Sequence, residues 1–323
     1  MALIGYHCSH EQYPPAELLA HAKRAAAGGF TAAMCSDHFH PWSERQGHSG
    51  YAWSWLGAAM EATQSSFGTV CAPGQRYHPA IIAQAAATLR QMYGERFWLA
   101  VGSGEAVNEA ITGARWPEKA LRNARLRECV DIMRALWAGE TVDHSGLVEV
   151  NAARLYVRAP SPPPVFAACL TRQTAEWAGS WADGMITVAA PPKELEPLIE
   201  AFRAGGGTGK PMYLQAVLSF APTDDEALEA AHHEWRQAAL GDTALLADLA
   251  SPAAFDAATS GLTRSDVRQK IRVSASLDQH IEWLAADVAL GFERIFLHNV
   301  HRDQQRFISA FAQSVLPVLS GLR

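Results

Sequence analysis

The chain has 323 residues, of which 49% are hydrophobic and 19% charged, and its formal net charge is -6. Without a basic patch or stripe, it lacks the electrostatic footprint of a nucleic-acid binder, and no apolar run reaches the ~18 residues of a membrane span. The length suits one barrel domain over 1–323 better than a doubly wound sheet, which at this size more often splits in two.

The predicted elements alternate from the start. Leu3–Cys8 reads as a strand and 14–28 as an amphipathic helix opened by Pro and closed by Gly. A strand over 31–36, a helix over 51–63 with Trp53, Leu56 and Met60 at helical spacing, and a strand over 66–72 follow. An Ala-rich helix over Pro79–Tyr93, a short strand Phe97–Val101 and a long helix over 116–138 complete the first half. Residues 140–158 read as a hairpin excursion and 160–164 as a rigid Pro-rich connector. The second half gives strands at Val165–Ala168, Gly184–Val188, 212–220 and Arg294–Asn299. Its helices lie at 173–181, 224–241, 277–290 and 305–319, and an Ala-rich helical insertion falls near 240–270. About eight strands alternating with helices predict a (β/α)8 TIM barrel, whose post-strand loops converge on one catalytic face.

The N-terminus lacks a basic segment followed by an apolar one, so no secretory signal is expected. Cys8, Cys35, Cys71, Cys129 and Cys169 are scattered, odd in number and without a CxxC pair. Reduced thiols in a cytoplasmic protein are therefore expected, with Cys8, Cys35 and Cys71 acting as small buried hydrophobes.

Ser36-Asp37-His38-Phe39-His40-Pro41-Trp42 follows a strand directly. An Asp beside a His can orient an imidazole, and such an imidazole exchanges protons near neutral pH. The His38-x-His40 spacing also suits a metal-dependent, amidohydrolase-like barrel, with His298, His301 and Asp303 near the last strand. The middle strands offer that reading no further ligand, so no metal is expected. Gly102-Ser103-Gly104-Glu105-Ala106-Val107-Asn108-Glu109 follows another strand; its glycines would admit a flat ring, or simply make a tight turn. Thr69-Val70-Cys71-Ala72-Pro73 precedes Arg76-Tyr77-His78-Pro79 and says little alone.

Taken together, these clusters resemble the luciferase-like (bacterial luciferase superfamily) barrels, in the branch related to deazaflavin-dependent glucose-6-phosphate dehydrogenase. The likeness rests on Gly5-Tyr6 with Glu11-Gln12, Ser36-Asp37-His38-Phe39 with Pro41-Trp42, Gly47-His48, Ser54-Trp55, Gly68-Thr69 and Arg76-Tyr77 with Pro79-Ala80. It continues through Gly102 to Glu105 with Asn108-Glu109, Trp116-Pro117, the run Arg125 to Glu128, Ala182-Asp183-Gly184, and Phe296, His298 and Asp303 to Phe307. It spans nearly the whole chain. The resemblance implies a homodimeric flavin-type oxidoreductase or monooxygenase acting on a small molecule at the barrel mouth. His38 and Glu105 would handle protons. Asp37, Asn108, Gly102, Ser103 and Gly104 would meet the cofactor, and Trp42 would line the substrate side. Thr69, Val70, Cys71 and Ala72 would form the bulge behind the ring, where relatives carry a cis non-proline peptide.

Three departures set this chain apart. The segment Thr69 to Ala72 is one residue shorter here than the bulge of the relatives, which counts against the cis peptide. Leu170-Thr171-Arg172 stands where relatives carry a Gly-Gly pair that receives the cofactor phosphate. The Thr171 hydroxyl and the Arg172 guanidinium suit a terminal phosphate such as that of FMN, which is the expected cofactor, with the deazaflavin coenzyme F420 as the alternative. Of the three cations of the relative's sugar-phosphate site only Lys270 falls in place, so glucose 6-phosphate is not expected as substrate. A non-catalytic flavin-binding barrel is the remaining reading.

Overall fold

A computed structural model describes residues 2–241 and 243–321. Its strands are β1 (Leu3–Cys8), β2 (Ala32–Ser36), β3 (Ser66–Cys71), β4 (Phe97–Val101), β5 (Val142–Ser145), β6 (Glu149–Ala153), β7 (Val165–Ala168), β8 (Gly184–Val188), β9 (Met212–Ser219), β10 (Arg272–Val273) and β11 (Arg294–Asn299). The helices are α1 (Pro15–Ala27), α2 (Ala52–Ala62), α3 (Pro79–Tyr93), α4 (Ala106–Glu109), α5 (Lys119–Ala138), α6 (Arg172–Gly179), α7 (Pro192–Phe202) and α8 (Asp224–Trp235). They continue with α9 (Thr243–Asp248), α10 (Pro252–Ala258), α11 (Arg264–Arg268), α12 (Leu277–Ala289), α13 (Gln304–Ala310) and α14 (Leu316–Ser320).

The ring order β1-β2-β3-β4-β7-β8-β9-β11 closes on itself through parallel pairings, a TIM barrel. β10 adds two residues along the end of β9, and β5–β6 is an antiparallel hairpin outside the ring. The insertion expected near 240–270 is the three short helices α9, α10 and α11. Two helices, the one-turn α4 and α7, lie outside the predicted elements: in α7 Pro197 interrupts the pattern, although Leu195, Leu198, Ile199 and Phe202 form a buried stripe. The long helix starts at Lys119, not 116, because Pro117 and the extended Glu118 precede it. Among the described residues no helix is long and apolar enough to cross a membrane, and all five cysteines are free and buried.

The strands are apolar on both faces because the ring is buried on both. Outward residues such as Ile4, Tyr6, Phe67, Leu99 and Val165 join the helical shell. Inward residues Trp98, Phe166, Tyr213 and Phe296 form an aromatic plug, with Phe166 stacked on Tyr213 at 4.1 Å and Trp98 on Phe296 at 5.3 Å. Gly68 makes room for that plug: a Cβ there would lie 2.1 Å from the Trp98 ring. Gly68→Ala should therefore destabilise the fold by about 1–3 kcal/mol, read as a lower urea midpoint with an unchanged slope; an unchanged midpoint would show that Trp98 can move aside freely.

The expected bulge at 69–72 is absent. Ser66–Cys71 pairs residue for residue with β2 and β4 without a shift, and no cis peptide occurs among the described residues.

Candidate functional site

The loops after β1, β2 and β4 meet at the C-terminal mouth of the barrel. Glu11, just beyond β1, is 1% exposed. Its Oε2 accepts hydrogen bonds from Ser9 Oγ (2.7 Å) and Ser36 Oγ (2.8 Å), and its Oε1 lies 2.6 Å from His38 Nδ1. The other ring nitrogen, His38 Nε2, faces Glu105 Oε2 at 3.9 Å. Trp42 packs edge-to-face on the His38 ring at 4.9 Å, and Phe255 of α10 packs on Trp42 at 5.2 Å.

The electrostatics follow from this geometry. Burial opposes charge on the His38 ring, but the adjoining Glu11 carboxylate outweighs it and holds the imidazole above its usual pKa. Burial likewise opposes charge on Glu11, yet His38 and the two hydroxyls hold its carboxyl well below the usual range. Burial raises the Glu105 carboxyl, only partly offset by His38. Glu11 and His38 thus have the arrangement of the buried carboxylate and imidazole of an acid–base relay, with Nε2 turned to the mouth.

Asn108 ties the loop of His38 to its own loop after β4. Its Oδ1 accepts from the backbone N–H of Phe39 (2.9 Å) and His40 (3.4 Å), and His40 Nδ1 lies 2.7 Å from the Val107 carbonyl. The insertion is fastened to the same rim. Asp256 accepts from Ser43 Oγ, the Glu44 N–H and Arg45 Nη1, while Asp248 of α9 accepts from Trp116 Nε1 and Arg122.

Several expected contacts are placed differently. The Asp37 carboxylate is buried, accepting from Tyr77 Oη at 2.9 Å and lying 3.6 Å from Arg76, which also reaches Glu109. It supports the loop beneath His38 and does not line the mouth. Asn108 spends its Oδ1 on the clamp. With no bulge, strand alternation turns Thr69 and Cys71 outward, and Thr69 Oγ1 donates to the Cys35 carbonyl at 3.0 Å. Val70 and Ala72 stay accessible. Gly102 and Gly104 remain open too, and Ser103 Oγ lies 2.7 Å from Lys119 Nζ. Thr171 caps α6 through the Thr174 N–H, and Arg172 is exposed beside it with no ion pair among the described residues. Lys270 stands on the exposed turn between α11 and β10.

The His38/His40 pair does not converge, because the His40 ring turns to Val107. His298 lies inside the barrel, bonded to Gln12. Among the described residues no group of three or more His, Cys, Asp or Glu is arranged to hold a metal.

Glu11, Arg76, Tyr77, Lys119 and Phe255 have no role in the linear reading. Glu11-Gln12 and Arg76-Tyr77 stood within the motifs, but only the closed ring brings Glu11 beside His38.

A flat ring has a place here. Val70, Gly102, Ala168 and Val188 end inward-facing strand positions, are small, and remain accessible at the mouth. Gly104 adopts φ +82, and a Cβ there would lie 3.1–3.3 Å from Glu109, Trp116 and Ala72.

Comparison with known proteins agrees in class. The family model for luciferase-like monooxygenases matches residues 2–294. F420-dependent glucose-6-phosphate dehydrogenases from Beutenbergia cavernae and Mycobacterium tuberculosis are each 34% identical over 99% of this chain and 98% of their own length. The solved structure of an F420-dependent secondary alcohol dehydrogenase with an F420-acetone adduct is 30% identical, with a TM-score of 0.90 over 99% of both chains. An F420-dependent tetrahydromethanopterin reductase from Methanopyrus kandleri, 18% identical with a TM-score of 0.79, shares the fold.

Proposed function

The chain belongs to the luciferase-like monooxygenase family and is an oxidoreductase, and on that premise we propose that it is a deazaflavin-dependent dehydrogenase of a small, uncharged alcohol. The observation that carries this reading is the buried Glu11 carboxylate 2.6 Å from His38 Nδ1, which leaves Nε2 free at the mouth. Oxidising a hydroxyl-bearing carbon releases a hydride and a proton. A bound deazaflavin supplies the hydride acceptor. The proton falls to this chain's own residues.

With Nδ1–H held by Glu11, neutral His38 presents a lone pair at Nε2 to the hydroxyl, and Glu11 stabilises the imidazolium that forms. Glu105, 31% exposed and next to Nε2, can carry the proton on towards solvent. Trp42 and Phe255 wall the substrate side with carbon. That wall, with Ala189 and Ala190 at the end of β8, offers a phosphorylated sugar no cation and favours a neutral alcohol.

The F420-dependent dehydrogenases among the relatives support the deazaflavin over the FMN expected from Thr171 and Arg172 alone. Those two groups suit the phosphate of either cofactor. An absorbance titration of the purified protein with both, followed by addition of a simple secondary alcohol, tests the reading. Tighter binding of the deazaflavin and loss of its oxidised absorbance are expected. Stoichiometric FMN with no deazaflavin binding would refute the cofactor, and binding without turnover on any alcohol or acceptor would favour a non-catalytic barrel. The initial rate should also rise with pH through the His38 pKa, above 6.5, because only the neutral ring accepts a proton. A flat profile there would remove His38 from the base role.

A further inference from the structure

Beneath the mouth, the barrel interior holds two histidines that the Glu11–His38–Glu105 chain does not use. β1 sends Ile4, Tyr6 and Cys8 into the outer core, so Gly5 and His7 face inward. His7 is one inward step above Gly5, which lies against Phe296 of the plug. Its ring stacks on that of His298, with centroids 4.4 Å apart and planes 11° apart.

His298 is fixed in place. Gln12 spends Nε2 on the Val300 carbonyl (2.9 Å) and Glu234 (3.2 Å), so its Oε1 faces His298 Nε2 at 2.9 Å. His298 therefore carries its proton on Nε2 and donates it. Trp235 packs edge-on against the same ring at 4.4 Å. Burial holds both histidines below their usual pKa, His298 at about 4, so both are neutral near pH 7.

His7 is held by stacking alone. Its side chain is 4% exposed, and among the described residues neither nitrogen has a hydrogen-bond partner; Nδ1 is sealed, while Nε2 is not. A buried polar atom left unpaired is costly, and an apolar side chain would fill this layer without that cost. The next inward position, Ser9, has its hydroxyl committed to Glu11. The accessible strand ends around the mouth, Val70, Gly102, Ala168 and Val188, offer no polar side-chain atom. His7 Nε2 and the part-exposed side chain of Gln215, inward between Tyr213 and Val217, are the uncommitted polar groups at the floor among the described residues.

We propose that His7 Nε2 donates a hydrogen bond to a ring carbonyl of the flavin-type cofactor bound at the mouth, with His298 stacked against it as the positioning partner. The inference rests on the cofactor class proposed above. Rings of that class carry carbonyl groups along one edge. Such an edge entering the barrel beside β1 meets His7 above the carbon of Phe296. The substrate lies elsewhere, against Trp42 and His38 at the rim. Keeping the proton on Nε2 leaves a lone pair, not an N–H, sealed at Nδ1, which is the cheaper orphan in a protein interior.

The test is an absorbance titration of the full chain with the deazaflavin, comparing wild type, His7→Leu and His7→Gln. Leu should weaken binding by about tenfold or more. Gln, which keeps an N–H donor, should recover most of that loss. Turnover at saturating cofactor should change far less than the dissociation constant in both variants. A Leu variant that binds like wild type overturns the contact, and so does a Gln variant that binds as poorly as Leu, since the role is then packing. Where His7→Leu lowers the melting temperature, the volume-conserving His7→Met is read in its place, with the same expected tenfold loss. A wild type that binds only FMN moves the series to FMN, which has the same carbonyl edge. A wild type that binds neither ring overturns the proposed function and this contact with it.

Discussion

His38→Ala is expected to lower turnover by about two to four orders of magnitude while leaving cofactor affinity close to wild type. The ring is the group at the mouth whose one nitrogen is fixed by a buried carboxylate and whose other is free. Removing it takes away the proton acceptor and leaves Glu11 without its cationic partner. The accessible floor of Val70, Gly102, Ala168 and Val188 stays in place, so the cofactor should still bind. The measurement is steady-state oxidation of a secondary alcohol beside the same absorbance titration used for the wild type. Turnover within a factor of about three of wild type would hand the proton step to Glu105. Loss of cofactor binding would instead mean that the ring holds the cofactor.

Glu11→Gln carries the second large effect, in stability as well as rate. The Glu11 pKa is lowered from 4.5 in the folded protein, so its contribution is full above 4.5 and fades as pH falls through the folded value. The His38 pKa is raised from 6.5, so its contribution is full below 6.5 and fades as pH rises through the folded value. The pair therefore stabilises most between pH 4.5 and 6.5. In that window the substitution should cost about 3 kcal/mol, the usual penalty for stripping one partner from a buried ion pair. The difference should shrink as pH rises through the folded His38 value, where the imidazole loses its charge. Thermal melts of both proteins across this range check the sign; a difference that grows steadily with pH would contradict it. In the rate profile, loss of the carboxylate lets burial lower the His38 pKa, so the acid limb should move to lower pH as maximal turnover falls. A merely structural Glu11 would lower the rate without moving the limb.

Both predictions depend on a carboxylate whose place the linear sequence does not reveal. Strand and helix periodicity made the barrel legible: Leu3–Cys8, Pro79–Tyr93, Phe97–Val101, Val165–Ala168, Gly184–Val188 and Arg294–Asn299 run where the pattern puts them. These elements are set by local alternation and by Pro and Gly at their ends, which a linear reading can see. The strand-end loops of His38 and Glu105 were legible for the same reason, since in a parallel barrel every post-strand loop reaches one face.

Tertiary structure decided the rest. Glu11 follows a different strand from His38, and only ring closure with β1 beside β2 brings Oε1 to 2.6 Å from Nδ1. Asp37 and Asn108 carry side chains suited to a ligand, yet the fold buries both, because the loop bearing His38 needs a charged anchor below and a clamp to its neighbour. Thr69 and Cys71 turned outward because an unshifted register leaves no bulge to aim them at the mouth. Sequence alone determined which loops reach the mouth. The closed barrel determined which side chains within them face the mouth, since facing depends on register, burial and partners far apart in the chain.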